Sequence, residues 1–426
     1  MIGRGETPRN AFGYTRGSVL LADIMDLLSE AHDAHARGEG YAAIGPYLTA
    51  IKELNRRSER LPDSDEAREL QAAAHVGLGI VLAGRKSGRA HAGTHFDAAI
   101  GFGLGLTGED PRRSLVDLVA TALTERAALY ADEDPAAALA DYTRAVELRA
   151  CPSGGDPQRR GALATSYLGR ARLRLRTMDH EGAAADATAA CEIFHELRAT
   201  GALDDRCGRG EALLVRAEAR LTHVISSGAD LDAAAAAIEP TGGAVTTREQ
   251  QLLGEILLAR GRWRRAAGDP TGAHADHEHA VAVSDLRVGS GDADDARALL
   301  RAAALAHRAS THADQGAVSS VAADLEQARL LLTQMTATVP YLRVGYLVAE
   351  ISSSTAFQLR SNELLHAALF DAARLMNAVR WLGGAARLLP ALRERVTRLL
   401  DRYLAAPLND ATRETFASWR RSLEVA

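Results

Sequence analysis

The sequence predicts an all-α fold, an α-solenoid of antiparallel helix hairpins in long repeats of about 45 residues with a C-terminal helical cap. Three observations predict it. The first is a recurrence: Arg, then Ala or Gly, then after thirteen or fourteen residues Asp, then three residues and Ala. It is read at Arg126-Ala127…Asp141…Ala145, Arg170-Ala171…Asp186…Ala190, Arg216-Ala217…Asp232…Ala236, Arg260-Gly261…Asp276…Ala280 and Arg308-Ala309…Asp324…Ala328. Successive arginines lie 44, 46, 44 and 48 residues apart, room for two helices of about four to six turns and their connections. The second is composition. The 426 residues are 47% hydrophobic but only 4% aromatic, which suits helices packed through Ala, Leu and Val and leaves little for sheet. The third is punctuation by Asp-Pro, Gly and capping residues between periodic runs.

Taken in order, residues 1–19 form a polar arm of flexible character. The first apolar stretch, Val19 to Leu28, is short and interrupted by Asp23 and Asp26, so neither a signal peptide nor a membrane span is expected. Residues 20–340 hold the repeats. A diverged copy opens them at Glu30-Ala31, Gly38, Ala43, Tyr47 and Ala50, with Pro46 in the place of the recurring Asp. One barely legible unit fits Ser64 through Gly105. Asp110-Pro111, Asp134-Pro135, Asp156-Pro157 and Asp269-Pro270 read as helix starts, because Asp can cap free N–H groups and Pro has no N–H to lose in the first turn. In the third unit Ser226 to Asp230 reads as a late turn, and Asp232 lies in an Ala-rich run that can match by chance.

Thr246 and Glu249 form a capping-box pattern before a helix bearing Leu252, Leu253, Ile256, Leu257 and Trp263 at helical spacing; Ala273, His277, Ala280 and Val283 continue in the next. Cys151 to Gly155, Gly201 to Gly210, Pro240 to Gly243 and Gly289 to Asp292 read as connections between units. After about residue 340 the motif stops. Residues 341–426 remain helical, with Leu365, Ala368, Ala372, Leu375, Val379 and Leu382 on one face and Gly383-Gly384 as a break. Capping of the last apolar face is the default reading for this region, and self-association as a homodimer the alternative.

The segment Arg260-Gly261-Arg262-Trp263, followed by Gly268-Asp269-Pro270, Ala273, Asp276 and Ala280, resembles a tetratricopeptide (TPR) repeat. Ala31, Gly38, Ala43, Tyr47 and Ala50 match the same scheme. The resemblance spans about residues 20–335. It departs from the family in its spacing, longer than the usual 34 or so, and in replacing most of the family's aromatics by Ala, Leu or His. What it implies is an array that binds an extended peptide or partner helix along a concave face lined by the first helix of each unit. Counting from the small crossing residues places His32, His35, Arg172, Arg176, Arg262 and Arg265 on that face as a basic strip. Such a strip suits an acidic peptide or a C-terminal carboxylate, since a guanidinium holds a carboxylate through two parallel bonds. The Lys and Asn used by the family's carboxylate-clamp members are missing there.

Other chemistry finds little support. A net charge of −5 argues against a general nucleic-acid partner, and all but Lys52 and Lys86 of the 50 basic residues are arginine, a bias that reads as a GC-rich coding sequence. Cys151, Cys191 and Cys207 are odd in number and lack metal-site spacing, as expected of a cytoplasmic protein. His274, His277 and Glu278 share a helix side but make at most a partial metal site, and His91 with His95 has no accompanying HExxH. Solvated helix positions explain the first group. Gly79 to Ser87 is one residue too long for a phosphate loop and follows a helix, and Cys191 with His195 reads as packing. No metal, cofactor or catalytic residue is therefore expected. The repeated Arg and Asp are expected to pair as surface groups, fixing geometry at about 0–1 kcal/mol each. The predicted function is a non-enzymatic protein- or peptide-binding adaptor or regulatory subunit. The alternatives are a peptide-responsive sensor and, from another class, a helical metal-dependent enzyme.

Overall fold

Small residues at every fourth or seventh position let neighbouring helices approach closely, and the chain uses them throughout. The computed structural model describes residues 21–57, 65–85, 88–103, 113–150, 156–220, 224–239, 246–285, 292–335, 339–381, 390–406 and 408–424. The regular elements among them are eighteen α-helices and no strand. They run α1 (Ala22–Ala36), α2 (Gly40–Arg57), α3 (Asp65–Ala83), α4 (Arg89–Gly103), α5 (Arg113–Tyr130), α6 (Pro135–Ala150), α7 (Pro157–Arg176), α8 (His180–Ala199) and α9 (Arg206–Ala219). There follow α10 (Val224–Ile238), α11 (Thr247–Ala266), α12 (Pro270–Asp285), α13 (Asp292–Asp314), α14 (Val318–Thr333), α15 (Val339–Leu359), α16 (Asn362–Trp381), α17 (Pro390–Leu404) and α18 (Asp410–Glu424). The odd helices α1, α3, α5, α9, α11, α13, α15 and α17 each pack on the even helix after them, and α7 meets α8 through Arg170 and Asp186, which makes the chain an all-α solenoid of hairpins. Residues 1–169 and 170–426 are separate compact units, divided within α7. The arm at 1–19, Asp110-Pro111, Gly383-Gly384 and the connections at 151–155 and 240–243 lie outside the described residues.

Helices start after Asp134, Asp156 and Asp269 as read from sequence, and Asp179 and Asp205 are caps that the sequence reading did not include. Asp134, Asp179, Asp205 and Asp269 each accept a bond from the backbone N–H three residues on, at 2.8–3.0 Å. Thr246 and Glu249 close the capping box in both directions. The cap at Asp205 starts α9 at Arg206, so the expected connection from Gly201 to Gly210 is only half as long as read. Three hairpin turns place a left-handed glycine after the first helix: Gly38, Gly268 and Gly316, with φ of 79°, 85° and 73°. At the α7–α8 turn Met178 takes the same role with φ 70°, a conformation that strains a side-chain-bearing residue. Met178 is 41% exposed, so Met178→Gly gives up only a partly buried side chain. The substitution is expected to stabilise the protein by about 1 kcal/mol, less the entropy glycine loses; an unchanged or lower denaturation midpoint would contradict this.

The recurring Arg and Asp do meet across each hairpin. Arg126 holds Asp141 at 2.8 and 2.7 Å, Arg170 holds Asp186 at 2.8 and 2.8 Å, Arg260 holds Asp276 at 3.0 and 2.7 Å, and Arg308 holds Asp324 at 2.9 and 2.6 Å, each through Nε and Nη2. Two expectations need correction. The pairs are not surface pairs: the carboxylates of Asp186, Asp276 and Asp324 are 5%, 4% and 7% exposed. And the third copy is Arg216…Asp230…Ala234, not Arg216…Asp232…Ala236.

Arg216 grips Asp230 at 2.9 and 2.6 Å, and Ala234 is fully buried while Asp232 and Ala236 are exposed. The physical reason is that Ser226 to Asp230 is no turn but part of α10, which starts early at Val224 and puts Asp230 at the crossing. Asp232 faces the next hairpin instead, 3.3 Å from Arg260 and 3.7 Å from Arg264. A basic residue four positions after the motif Arg adds to the grip. Arg174 reaches Asp186 at 2.9 Å, Arg264 reaches Asp276 at 3.0 Å, and Arg220 and His312 lie 3.8 and 3.7 Å from Asp230 and Asp324.

Helices α13 to α18 share one apolar core. It includes Leu305, Leu325, Leu342, Leu375, Val396 and Tyr403. The Tyr403 hydroxyl donates to the Ala368 carbonyl at 2.9 Å, and Phe416 packs on its ring. Ala368, Ala372, Leu375 and Val379 are buried along α16 as the periodicity predicts, whereas Leu382 is outside the described residues.

Candidate binding groove

Within residues 170–426, the first helices of successive hairpins, α9, α11, α13 and α15, together with α17, line an open groove of about 1290 Å³. They do so because their other faces are committed. On α11, for example, Leu252, Leu253, Ile256 and Leu257 are buried, and Gly261 lies so close to α12 that a Cβ there would overlap the His277 ring. What turns to the groove is Glu255, Leu258, Arg262 and Arg265.

The expected site residues divide among several places. Arg262 and Arg265 line the groove together, and each is joined to a carboxylate of a neighbouring first helix: Arg262 to Glu218 of α9 at 3.1 Å, Arg265 to Asp314 of α13 at 2.6 and 2.7 Å. Asp314 also accepts from Gln358 of α15 at 3.2 Å. Arg172 on α7 is exposed and pairs with the buried Glu211, which also lies 3.5 Å from Arg248. Arg176 is half-buried at the end of the same helix, and neither α7 arginine is part of the groove lining. His32 and His35 are exposed on α1 of the other unit. The strip is therefore self-neutralised where it can be followed, because the charges opposite the arginines are supplied by the next helix over.

Of the group on α12 expected to be solvated, Glu278 is exposed, but His277 is not and His274 is only partly so. His277 is fully buried and stacks on His307 of α13, ring centroids 5.3 Å apart. Among the described residues neither His277 ring nitrogen has a hydrogen-bond partner. Burial, with Arg262, Arg265 and His274 adding, pushes the His277 pKa down to about 3, and His307 is held far below its ordinary value for the same reason. His274 turns to Thr311, 3.0 Å away, and His312, while Glu278 and His279 are exposed. Two neutral imidazoles thus stand in the groove lining.

In the first unit His95 meets His75 at 2.9 Å between Nδ1 atoms, and His91 is exposed. No group of three or more metal-ligating side chains occurs among the described residues. Gly79 lies on α3 against Phe96, with helix before it and Lys86 and Ser87 outside the described residues. Cys191 is buried, and burial lifts its thiol to about 11, which leaves it a poor nucleophile.

Sequence reasoning missed the far wall of the groove. Arg395, Arg398 and Arg402 of α17 line it beside Arg343 of α15. Their spacing of three and four residues, opposite Leu392, Val396, Leu399 and Tyr403, is the signal that would have placed them on one exposed helix face.

Against known proteins, no family model matches the chain and no curated protein does. Solved structures do. The apo form of RapI matches over 95% of this chain and 99% of its own, with a TM-score of 0.56 and 9% identity. The fold is that of a TPR-like helical repeat protein. A tetratricopeptide repeat protein from Parabacteroides merdae matches over 77% of this chain and 99% of its own (TM-score 0.43, 14% identity). A Rap protein complexed with competence and sporulation factor matches over 95% and 98% (TM-score 0.48, 10% identity). The TPR-like array described here contains no helix, among its described residues, that is long and apolar enough to cross a membrane.

Proposed function

We propose that this TPR-like array is a non-enzymatic scaffold that holds an extended segment of another protein, or a peptide, in the groove of residues 170–426, as an adaptor or regulatory subunit. One observation carries the reading. The groove is walled by consecutive first helices that alternate apolar with charged side chains, Leu258 and Leu347 among Arg262, Arg265 and Glu350, which gives an extended chain both burial and hydrogen bonding. Arg262 and Arg265 are the residues of the predicted strip assigned to that segment; His32, His35, Arg172 and Arg176 serve binding only where a partner extends beyond the groove. Helices α15–α18 act as the terminal cap of the array. A cytoplasmic location belongs to the same reading, and the free thiols Cys191 and Cys207 support it.

A sensor is the second reading, favoured by the bridges from Arg262 to Glu218 and from Arg265 to Asp314, which tie α9, α11 and α13 to one another. A ligand carboxylate that takes Arg265 from Asp314 would loosen that tie and change helix spacing. Small-angle scattering with and without bound peptide separates the two readings. For the groove itself, full-length protein is expected to retain members of a randomised peptide library. Leu347→Trp, which fills the groove, and Arg262→Glu are expected to lower retention while leaving the helical circular dichroism unchanged. Retention that ignores both substitutions would place binding elsewhere.

A further inference from the structure

The charge in the groove is unevenly distributed, and the uneven end is built by the C-terminal helices. Six arginines and four carboxyl groups line it. Two of those carboxylates, Glu218 and Asp314, are engaged by Arg262 and Arg265. A third, Glu255, accepts from Gln251 at 2.9 Å, and burial raises its pKa. At the α15–α17 end, Glu350 alone among the lining residues carries a carboxylate beside Arg343, Arg395, Arg398 and Arg402.

The partners of Arg398 and Arg402 are an exposed carboxylate and a neutral hydroxyl. Arg398 lies 3.2 Å from Glu394, an exposed residue on its own helix, and Arg402 donates to the Ser354 hydroxyl at 2.7 Å. No ion pair joins Arg395 or Arg402 to a carboxylate among the described residues. The helix itself is held by Val396, Leu399, Leu400 and Tyr403, all buried, so the arginine face is fixed in place by packing on the other side.

We propose that α17 reads an acidic segment in which two carboxylate side chains stand two residues apart, bound by Arg395, Arg398 and Arg402. The inference rests on the groove reading above and adds the chemistry of the occupant. Geometry separates this ligand from a single terminal carboxylate. From Arg395 to Arg402 the helix rises about 10 Å, at 1.5 Å per residue, and side chains two apart on an extended chain repeat about every 7 Å. A row of three guanidiniums over that length spans two carboxylates and is more than one carboxylate can occupy. Val344, Leu347 and Ile351 of α15 line the same stretch and suit apolar residues between the acids. The C-terminal helices thereby select the ligand as well as closing the array.

Fluorescence anisotropy on the full chain tests this with fluorescein-labelled heptapeptides capped at both ends, one alternating Leu with Asp and one alternating Leu with Asn. A randomised capped library serves as a third probe. The Asp peptide is expected to bind about ten-fold more tightly than the Asn peptide, and more weakly as salt rises. Replacing Arg395, Arg398 and Arg402 together by Ala should abolish that preference, and replacing them by Lys should keep part of it. Because all three are exposed, circular dichroism and thermal midpoints should match the unsubstituted protein. Equal binding of the Asp and Asn peptides, or a preference that survives the triple Ala variant, overturns the α17 assignment and leaves the groove standing. Binding that requires an uncapped C-terminus overturns it in favour of a terminal carboxylate. If neither the peptides nor any library member binds, the groove reading falls and this inference with it.

Discussion

Asp276→Asn is expected to destabilise the protein by about 3–5 kcal/mol, the range for breaking a buried ion pair from one side. Asp276 is 4% exposed, accepts hydrogen bonds from Arg260 at 3.0 and 2.7 Å and forms an ion pair with Arg264 at 3.0 Å. An amide keeps the shape but leaves two guanidiniums facing a neutral group where water has little access. The contrast is with Asp232, 57% exposed, whose pairing with Arg260 is longer, at 3.3 Å. Asp232→Asn should cost within about 1 kcal/mol. Denaturant midpoints of the two variants decide the matter, and a double-mutant cycle on Arg260 and Asp276 should show strong coupling. An Asp276 variant as stable as the Asp232 variant would mean that the buried pair sets no more than local geometry.

Acid should also unfold the array through its buried histidines. His277 has a folded-state pKa of about 3, depressed by burial and then by Arg262, Arg265 and His274, with His307 stacked against it and lowered likewise. The unfolded chain takes up these protons near pH 6.5, and the folded one does not. The stability linked to a neutral imidazole is therefore fully present above about pH 6.5 and falls as pH drops from there toward the folded value. At pH 5 the loss is about 2 kcal/mol for His277, at 1.36 kcal/mol per pH unit. His75, lowered to about 4 chiefly by burial and then by His95, acts in the same direction in the first unit. Glu125 and Glu255, whose pKa values burial raises, oppose the trend at lower pH because their protonation favours the fold. Comparing guanidinium midpoints at pH 7.5 and pH 5 for the unsubstituted protein and for His277→Leu checks the argument. The variant's pH dependence should be smaller by about 2 kcal/mol, and equal slopes would refute the assignment to His277.

The fold was legible because its determinants are local and repeated. A small residue and the Arg–Asp pair recur at the crossings of the five hairpins from α5 to α14, so position along that part of the chain predicts position in a hairpin. The third unit misled for the same reason: Asp230 and Asp232 both stand before Ala-rich sequence, and only the start of α10 at Val224 decides which faces Arg216. The groove was harder to read. Arg262 and Arg265 were placed correctly on a first helix, yet Glu218 and Asp314, which neutralise them, come from 44 and 49 positions away, and no spacing rule announces such partners. His277 stood in two readings, on the apolar face with Ala273, Ala280 and Val283 and among solvated helix positions, and its burial agrees with the first. What buries it is the approach of Gly261 and the ring of His307, both from other helices. Arg395, Arg398 and Arg402 were visible as a helical row but belonged to a segment without the repeat, and the repeat was where binding residues were sought.

The slipped aspartate of the third hairpin has a consequence for how the array can be rearranged. Because α10 carries both Asp230 and Asp232, that hairpin satisfies its own Arg216 and also lends a carboxylate to Arg260 and Arg264 of its successor. It is not an interchangeable cassette. Excising it, or replacing it with a copy built to the regular spacing, would leave the junction with α11 short of an anion even if every hairpin folded, so the order of the units is written into the units themselves.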